Sequence, residues 1–253
     1  MFGKKQKSKE EILKYYKFSA PQSAQDSPTY QRFILKSFLE TLDGLKKLEV
    51  LDFGCGKGNN LGILSKTFKK VSAVDVSKSA IEIAKKNYKA FKNIKYFKYD
   101  GKKLPFGDQT FDFVVACEVL EHVPDLKKAF FELDRVVKSG GYIFISCPNY
   151  WNVRGLSKKI LEFFMGEGSW DPGRAHVGGY ERFMTPDKIF SLLKKYEIIK
   201  SAGSDYGTAW SFPMVRFYPL KFEHFFQIKL GQYKIVKYFG MNFYVLAQKK
   251  NVG

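Results

Sequence analysis

Three glycines at alternate positions, Gly54, Gly56 and Gly58, follow the apolar run LEVLDF, and a carboxylate, Asp52, stands two residues before the first of them. Glycine has no β-carbon, so such a stretch can turn sharply and bring backbone close to a ligand. Two further carboxylates close the next apolar runs: Asp75 ends VSAVD just before Val76, and Asp100 ends IKYFKYD just before Gly101. A carboxylate at the end of a second strand can accept hydrogen bonds from ribose hydroxyls, so the set points to an adenosine-bearing cofactor. A dinucleotide fits poorly. The G-x-G-x-x-G pattern that turns a helix start toward a pyrophosphate requires glycine where Asn59 stands, and Asp52 suits a cationic amino-acid group better than a diphosphate.

A second constellation, Glu118, Glu121 and His122, lies in EVLEHV directly after the run FDFVVAC. Where an acceptor hydroxyl must lose its proton, a histidine beside a carboxylate can take it, which makes His122 and Glu118 the candidate catalytic pair. The same residue types suit a divalent cation, with His176 a remote further ligand. Adjacent Glu-His side chains need not converge, no complete ligand set is visible, and no metal is assigned.

These side chains need elements to hold them. LEVLDF, VSAVDV, IKYFKYD, FDFVVAC and YIFISC read as buried parallel strands, separated by helical periodicities. Ser77 caps a helix presenting Ala80, Ile83, Ala84, Tyr88 and Phe91. A helix after Pro124 presents Leu126, Ala129, Phe130, Leu133, Val136 and Val137, and Gly140 and Gly141 are expected to end it. Thr185-Pro186 starts a late helix with Ile189, Leu192, Leu193 and Tyr196 inward, followed by the strands EIIKSAG and MNFYVLAQ. Strands alternating with helices predict an open α/β sheet covered on both faces, with ligands beyond the carboxyl ends of its strands.

The flanking segments break this rhythm. Residues 1–27 read as an N-terminal arm, helical or flexible, whose Tyr15, Tyr16 and Phe18 can pack on the domain formed by 28–253. Residues 150–184 read as a cap beside the acceptor pocket, with Trp151, Trp170, Arg174, His176 and Tyr180 as candidate contacts and packing as their competing role. The insertion 204–240 interleaves Arg216, Lys221, Lys229, Lys234 and Lys237 with aromatics. That composition serves single-stranded nucleic acid, an anionic lipid interface, or an aromatic lid on the same domain.

The chain has 253 residues, 45% hydrophobic, enough for one substantial α/β domain. Its formal charge of +18 favours phosphate-rich or anionic lipid partners, or is spread-out solvating lysine. Its three cysteines, Cys55, Cys117 and Cys147, form no CxxC pair, which predicts reduced thiols. Neither a secretory leader nor an apolar run of roughly 18 residues is present, which predicts a cytoplasmic protein.

VLDFGCGKG, AVDVSKSAIEIAKKN, YDGKKLPFGDQTFDFVVACEVLEHV and LDRVVKSGGYIFISCPN, in this order, resemble the class I S-adenosylmethionine-dependent methyltransferases. The resemblance covers residues 48–149 well and the stretch from Thr185 onward loosely. It implies a Rossmann-like, mostly parallel seven-stranded sheet whose last strand is antiparallel. It also implies that the loop Gly54, Cys55, Gly56 holds the methionine part of S-adenosylmethionine, that Asp75 and its neighbour Val76 meet the ribose, that Asp100 and Gly101 address adenine, and that the Cys117 main chain lies near the methionine end. The function expected is methyl transfer to an oxygen or nitrogen of a small or lipid-linked metabolite, with peripheral contact to an anionic membrane. RNA methylation and a non-catalytic cofactor-binding role are the alternatives, and no RNA-binding module accompanies the basic charge.

Overall fold

The computed structural model describes residues 8–18, 29–152, 155, 160, 163–164, 181–204, 233 and 235–251. Helices α1 (Lys9–Phe18) and α2 (Thr29–Leu39) precede β1 (Glu49–Phe53), α3 (Leu61–Thr67), β2 (Lys70–Asp75), α4 (Lys78–Asn87), β3 (Ile94–Lys98) and β4 (Phe111–Cys117). There follow α5 (Leu126–Val136), β5 (Val137–Pro148), α6 (Pro186–Leu192), β6 (Tyr196–Ser204) and β7 (Asn242–Lys249). The sheet has seven strands in the order β3-β2-β1-β4-β5-β7-β6. The first five pair in parallel, and β7 runs antiparallel between β5 and β6.

Alternate residues of each central strand enter opposite cores, which is why these runs are apolar throughout rather than alternating with polar residues. Leu51, Phe53, Val114, Ala116, Ile143 and Ile145 pack under α5 and α6. Val50, Phe113, Val115 and Phe144 pack on the other face under α2, α3 and α4. With both faces covered, the carboxyl ends of β1 to β4 form one edge, and every candidate cofactor carboxylate sits within two residues of it.

The helix starts follow their capping residues. The Ser77 side chain accepts the Ala80 N–H, and Thr185 accepts the Lys188 N–H with Pro186 in the first turn. Helix α5 is capped by Asp125, which accepts the Lys128 N–H, a residue the pattern after Pro124 had passed over. The inward residue of α4 is Ile81 rather than Ile83, which is only half-buried. Gly140 and Gly141 lie within β5, beside a register shift opposite Phe111 and Phe113, while α5 already ends at Val136. Helices α2 and α3 carried no start signal strong enough to be expected. Their Leu35, Phe38, Leu61 and Leu64 nevertheless bury completely or nearly so.

Candidate functional site

The glycine loop is held onto the end of β2. The N–H groups of Gly54 and Cys55 both donate to the Val74 carbonyl, at 2.9 and 3.0 Å. The Gly56 N–H donates to Asp75 Oδ2 at 2.8 Å, and the Ser77 N–H donates to Asp75 Oδ1 at 2.8 Å. Asp75 therefore fixes the loop. Gly54 and Gly56 adopt φ of 73° and 52°, in the left-handed region that favours glycine. A β-carbon on Gly54 would lie 2.4 Å from Val119 Cγ2, so this position lets the turn after β4 close onto the loop. Among the described residues nothing lies within 4 Å of a β-carbon built on Gly56, which leaves that side of the loop open for a ligand.

Asp52 lies beneath this loop, 1% exposed, and its Oδ2 has no hydrogen-bond partner among the described residues. Burial, then repulsion from Asp75, raises its carboxyl to about 7. Burial also raises Asp75, against the N–H groups of Ser77, Gly56 and Val76, which favour its charged form. At Asp100 burial works in the same direction. It is outweighed by the N–H groups of Lys102 and Lys103 and by the charges of Lys102 and Lys17, which hold this carboxyl below its usual range. The two N–H groups bind Asp100 Oδ1 at 2.7 and 3.0 Å, so Oδ1 shapes its own loop. Half-buried Val76 and Gly101 complete the wall between these carboxylates.

Cys55, Cys117 and Cys147 are free, and burial pushes all three thiols well up. They contribute packing and main chain rather than nucleophiles. An uncompensated buried carboxylate, an open loop with backbone free to approach, and a second carboxylate at the β2 end fit a ligand carrying both a cationic amino acid and a ribose.

The turn after β4 supplies the opposite wall. Glu118 has φ 49°, a conformation that costs a non-glycine residue on the order of 1 kcal/mol and must be enforced by its surroundings. The enforcement comes from β5: the Glu118 N–H donates to the Ser146 carbonyl at 3.0 Å, and Ser146 Oγ donates to Glu118 Oε1 at 2.7 Å. Burial, then the neighbouring Glu121, raises the Glu118 carboxyl to about 8, and burial raises Glu121 to about 8. Both therefore hold protons near neutrality. Glu121 is 1% exposed, its Oε2 has no partner among the described residues, and its Oε1 lies 3.6 Å from His122 Nε2. Among the described residues, no group of three or more His, Cys, Asp or Glu side chains could hold a metal ion.

Residues the sequence did not single out lock this turn. The Arg182 N–H donates to the Glu121 carbonyl at 2.7 Å, and its guanidinium reaches the Val123 and Pro124 carbonyls. The Tyr150 hydroxyl bonds to the Glu181 carboxylate, and its ring stacks on Phe183 at 4.9 Å. Ser146 joins the site only through strand pairing, which sets it against Cys117 one residue before the ExxEH turn. Glu181 and Arg182 carried no local signal. Trp151 is 54% exposed and meets Tyr238 edge-on at 6.3 Å. Trp170, Arg174, His176, Tyr180, Arg216, Lys221, Lys229 and Lys234 lie outside the described residues, and no helix among the described residues is long and apolar enough to cross a membrane.

Residues 51–145 match the methyltransferase domain family. This match, the strand order and the loop together resemble those of class I S-adenosylmethionine-dependent methyltransferase domains. More particularly, the chain is 30% identical over 165 residues to a ubiquinone biosynthesis O-methyltransferase of Rickettsia prowazekii, covering 64% of this chain and 62% of that relative. A namesake from Rickettsia felis is 28% identical over 184 residues, covering 68% and 69%. A SAM-dependent methyltransferase structure from Aquifex aeolicus shares the fold, with a TM-score of 0.57 and 21% identity over 92% of this chain and 100% of that one. The chain thus spans somewhat under two thirds of the Rickettsia prowazekii relative.

Proposed function

We propose that this protein transfers a methyl group from S-adenosylmethionine to an oxygen of a lipid-linked small molecule. The observation that carries the reading is the closure of the glycine loop against the carboxylate turn, Val119 lying on Gly54, which sets a cofactor cradle and a proton-holding group on facing walls. The likeness to ubiquinone biosynthesis O-methyltransferases supports the oxygen and the lipid-linked class. It favours that class over RNA.

Asp52 pairs with the cofactor's ammonium, Gly54, Cys55 and Gly56 border its amino-acid part together with the Cys117 main chain, Asp75 and Val76 meet the ribose, and Asp100 with Gly101 meets the adenine. The bound cofactor supplies a methyl group on a positively charged sulfur, already activated, so the protein's work is alignment, exclusion of water and handling one proton. His122 takes that proton from the acceptor hydroxyl. Glu121, 3.6 Å from it, then ionises more readily beside the cationic ring, and Glu118, tied to Ser146, orients the turn.

Trp151, Tyr180 and His176 border the acceptor, within a methyltransferase domain of residues 28–253 that includes the 150–184 cap and the 204–240 insertion, residues 1–27 forming the arm. Such an acceptor is met at an anionic membrane surface. Exposed Trp151, Phe163, Phe164 and Ile235, together with the charge of +18, support that peripheral contact. The test follows labelled methyl from the cofactor into cell extract separated into lipid, RNA and small-molecule fractions. Label in the lipid fraction is expected. Label confined to RNA, or no transfer despite tight cofactor binding, overturns the reading in favour of the two alternatives.

A further inference from the structure

Helix α1 lies across the edge where the cofactor carboxylates end. Three observations place it there. A β-carbon built on Gly101, at φ 86°, would meet Leu13 Cδ1 at 2.4 Å and Cδ2 at 2.9 Å, so the bare glycine is what lets Leu13 seat against the main chain after Asp100. Lys9 Nζ donates to Asp125 Oδ2 at 2.7 Å, tying the start of α1 to the residue that caps α5. Helix α1 also packs on α4, on the far side of the β2 end. The helix thus reaches from the α4 layer, over Gly101, to the start of α5, and Lys17 is close enough to Asp100 for its charge to be felt there.

We infer that α1 forms the outer wall of the adenine subsite, with Leu13 as a cofactor-contacting residue and the Lys9–Asp125 pair as the latch that holds the wall shut. This inference rests on the donor being S-adenosylmethionine. A purine has two large apolar faces, and leaving one in water forfeits much of the hydrophobic contribution to its binding. The carboxylate at Asp100 recognises polar atoms only and cannot cover a face. Leu13 is half-buried and offers a branched apolar side chain at the one position where the opposing backbone has no β-carbon to keep it away. Closure by a separate helix also sets an order of events: the cofactor enters and leaves when α1 lifts, and the latch governs the rate. The pair is exposed on the lysine side, 68% against 27% for Asp125, so its contribution is small and sensitive to salt.

The test measures binding of S-adenosylmethionine and S-adenosylhomocysteine by calorimetry and release by stopped-flow displacement, on the full chain, for Leu13→Ala and Lys9→Glu, with thermal melting of each cofactor-free variant. Leu13→Ala is expected to weaken both ligands by roughly tenfold through lost apolar cover while leaving the cofactor-free melting temperature nearly unchanged. Lys9→Glu is expected to release the ligands several-fold faster at low ionic strength, the difference closing in concentrated salt. Wild-type affinity and release rate in both variants would overturn the inference, as would a loss of affinity that tracks a matching loss of cofactor-free stability. No binding of either ligand by the unmodified protein would instead overturn the donor assignment on which the inference rests.

Discussion

Replacing Asp52 by asparagine separates what helps this domain fold from what lets it bind. The side chain is 1% exposed, its Oδ2 has no partner among the described residues, and its carboxyl is lifted from 3.8 to about 7, first by burial and then by Asp75. A carboxyl raised in the folded state keeps its proton where the unfolded chain has already lost it. From about pH 4 to about pH 7 the unfolded state therefore binds fewer protons, and stability falls as pH rises. At roughly 1.4 kcal/mol per unit, the ionised carboxylate costs the cofactor-free fold on the order of 4 kcal/mol above pH 7.

Asparagine keeps the shape and cannot ionise, but it buries an amide whose own desolvation costs roughly 1–3 kcal/mol. The difference leaves D52N more stable than the parent by roughly 1–3 kcal/mol at about pH 8.5, a rise of several degrees in melting temperature for a chain this size. At about pH 5 most of that gain disappears. Cofactor affinity moves the other way: losing a buried, charge-assisted contact to the ammonium should weaken S-adenosylmethionine by roughly tenfold to a hundredfold. Scanning calorimetry of the cofactor-free protein across pH, paired with titration calorimetry, reads both quantities. A variant that melts at or below the parent at the higher pH, or that binds the cofactor equally well, refutes the reasoning.

Asp75→Ala removes the acceptor for the Gly56 and Ser77 N–H groups as well as the ribose contact. Cofactor affinity should fall by roughly tenfold or more and stability by about 1–2 kcal/mol, measured by titration and melting, whereas unchanged affinity would remove Asp75 from the site. Gly54→Ala drives a β-carbon to 2.4 Å from Val119 Cγ2 at a φ of 73°. A loss of about 2–4 kcal/mol in chemical denaturation is expected, together with weaker cofactor binding. His122→Ala should lower kcat by roughly a hundredfold or more in the methyl-transfer assay with cofactor affinity intact. Glu121→Gln should lower kcat less and flatten the pH profile, and activity of H122A near that of the parent would exclude the histidine as base. Removing the cap hydroxyl in Thr185→Ala should cost about 1 kcal/mol in urea denaturation without touching cofactor affinity.

What the residue order determined by itself is local. Apolar runs long enough to be buried on both faces, interrupted by helical periods, dictated a parallel sheet, and the glycine pattern with Asp75 and Asp100 marked the candidate site at one edge of it. The caps at Ser77 and Thr185 were legible because a cap bonds within its own turn. Helices α2 and α3 were not, because their apolar residues gain their energy from a core assembled out of distant strands rather than from any start signal.

The carboxylate turn shows the same division. Glu118, Glu121 and His122 are consecutive enough to be noticed, but the protonation of the two glutamates depends on burial, and that of Glu118 also on Ser146, 28 residues away along the chain. Arg182 and Glu181 join from farther still, through backbone bonds and a tyrosine contact that no spacing encodes. Tertiary structure alone also turned Asp52 from one acidic residue among 25 into a buried carboxylate whose Oδ2 has no partner among the described residues, and laid Leu13 against Gly101. Both arise from packing between segments remote in sequence, where desolvation and steric fit, rather than residue type, decide what a side chain can do.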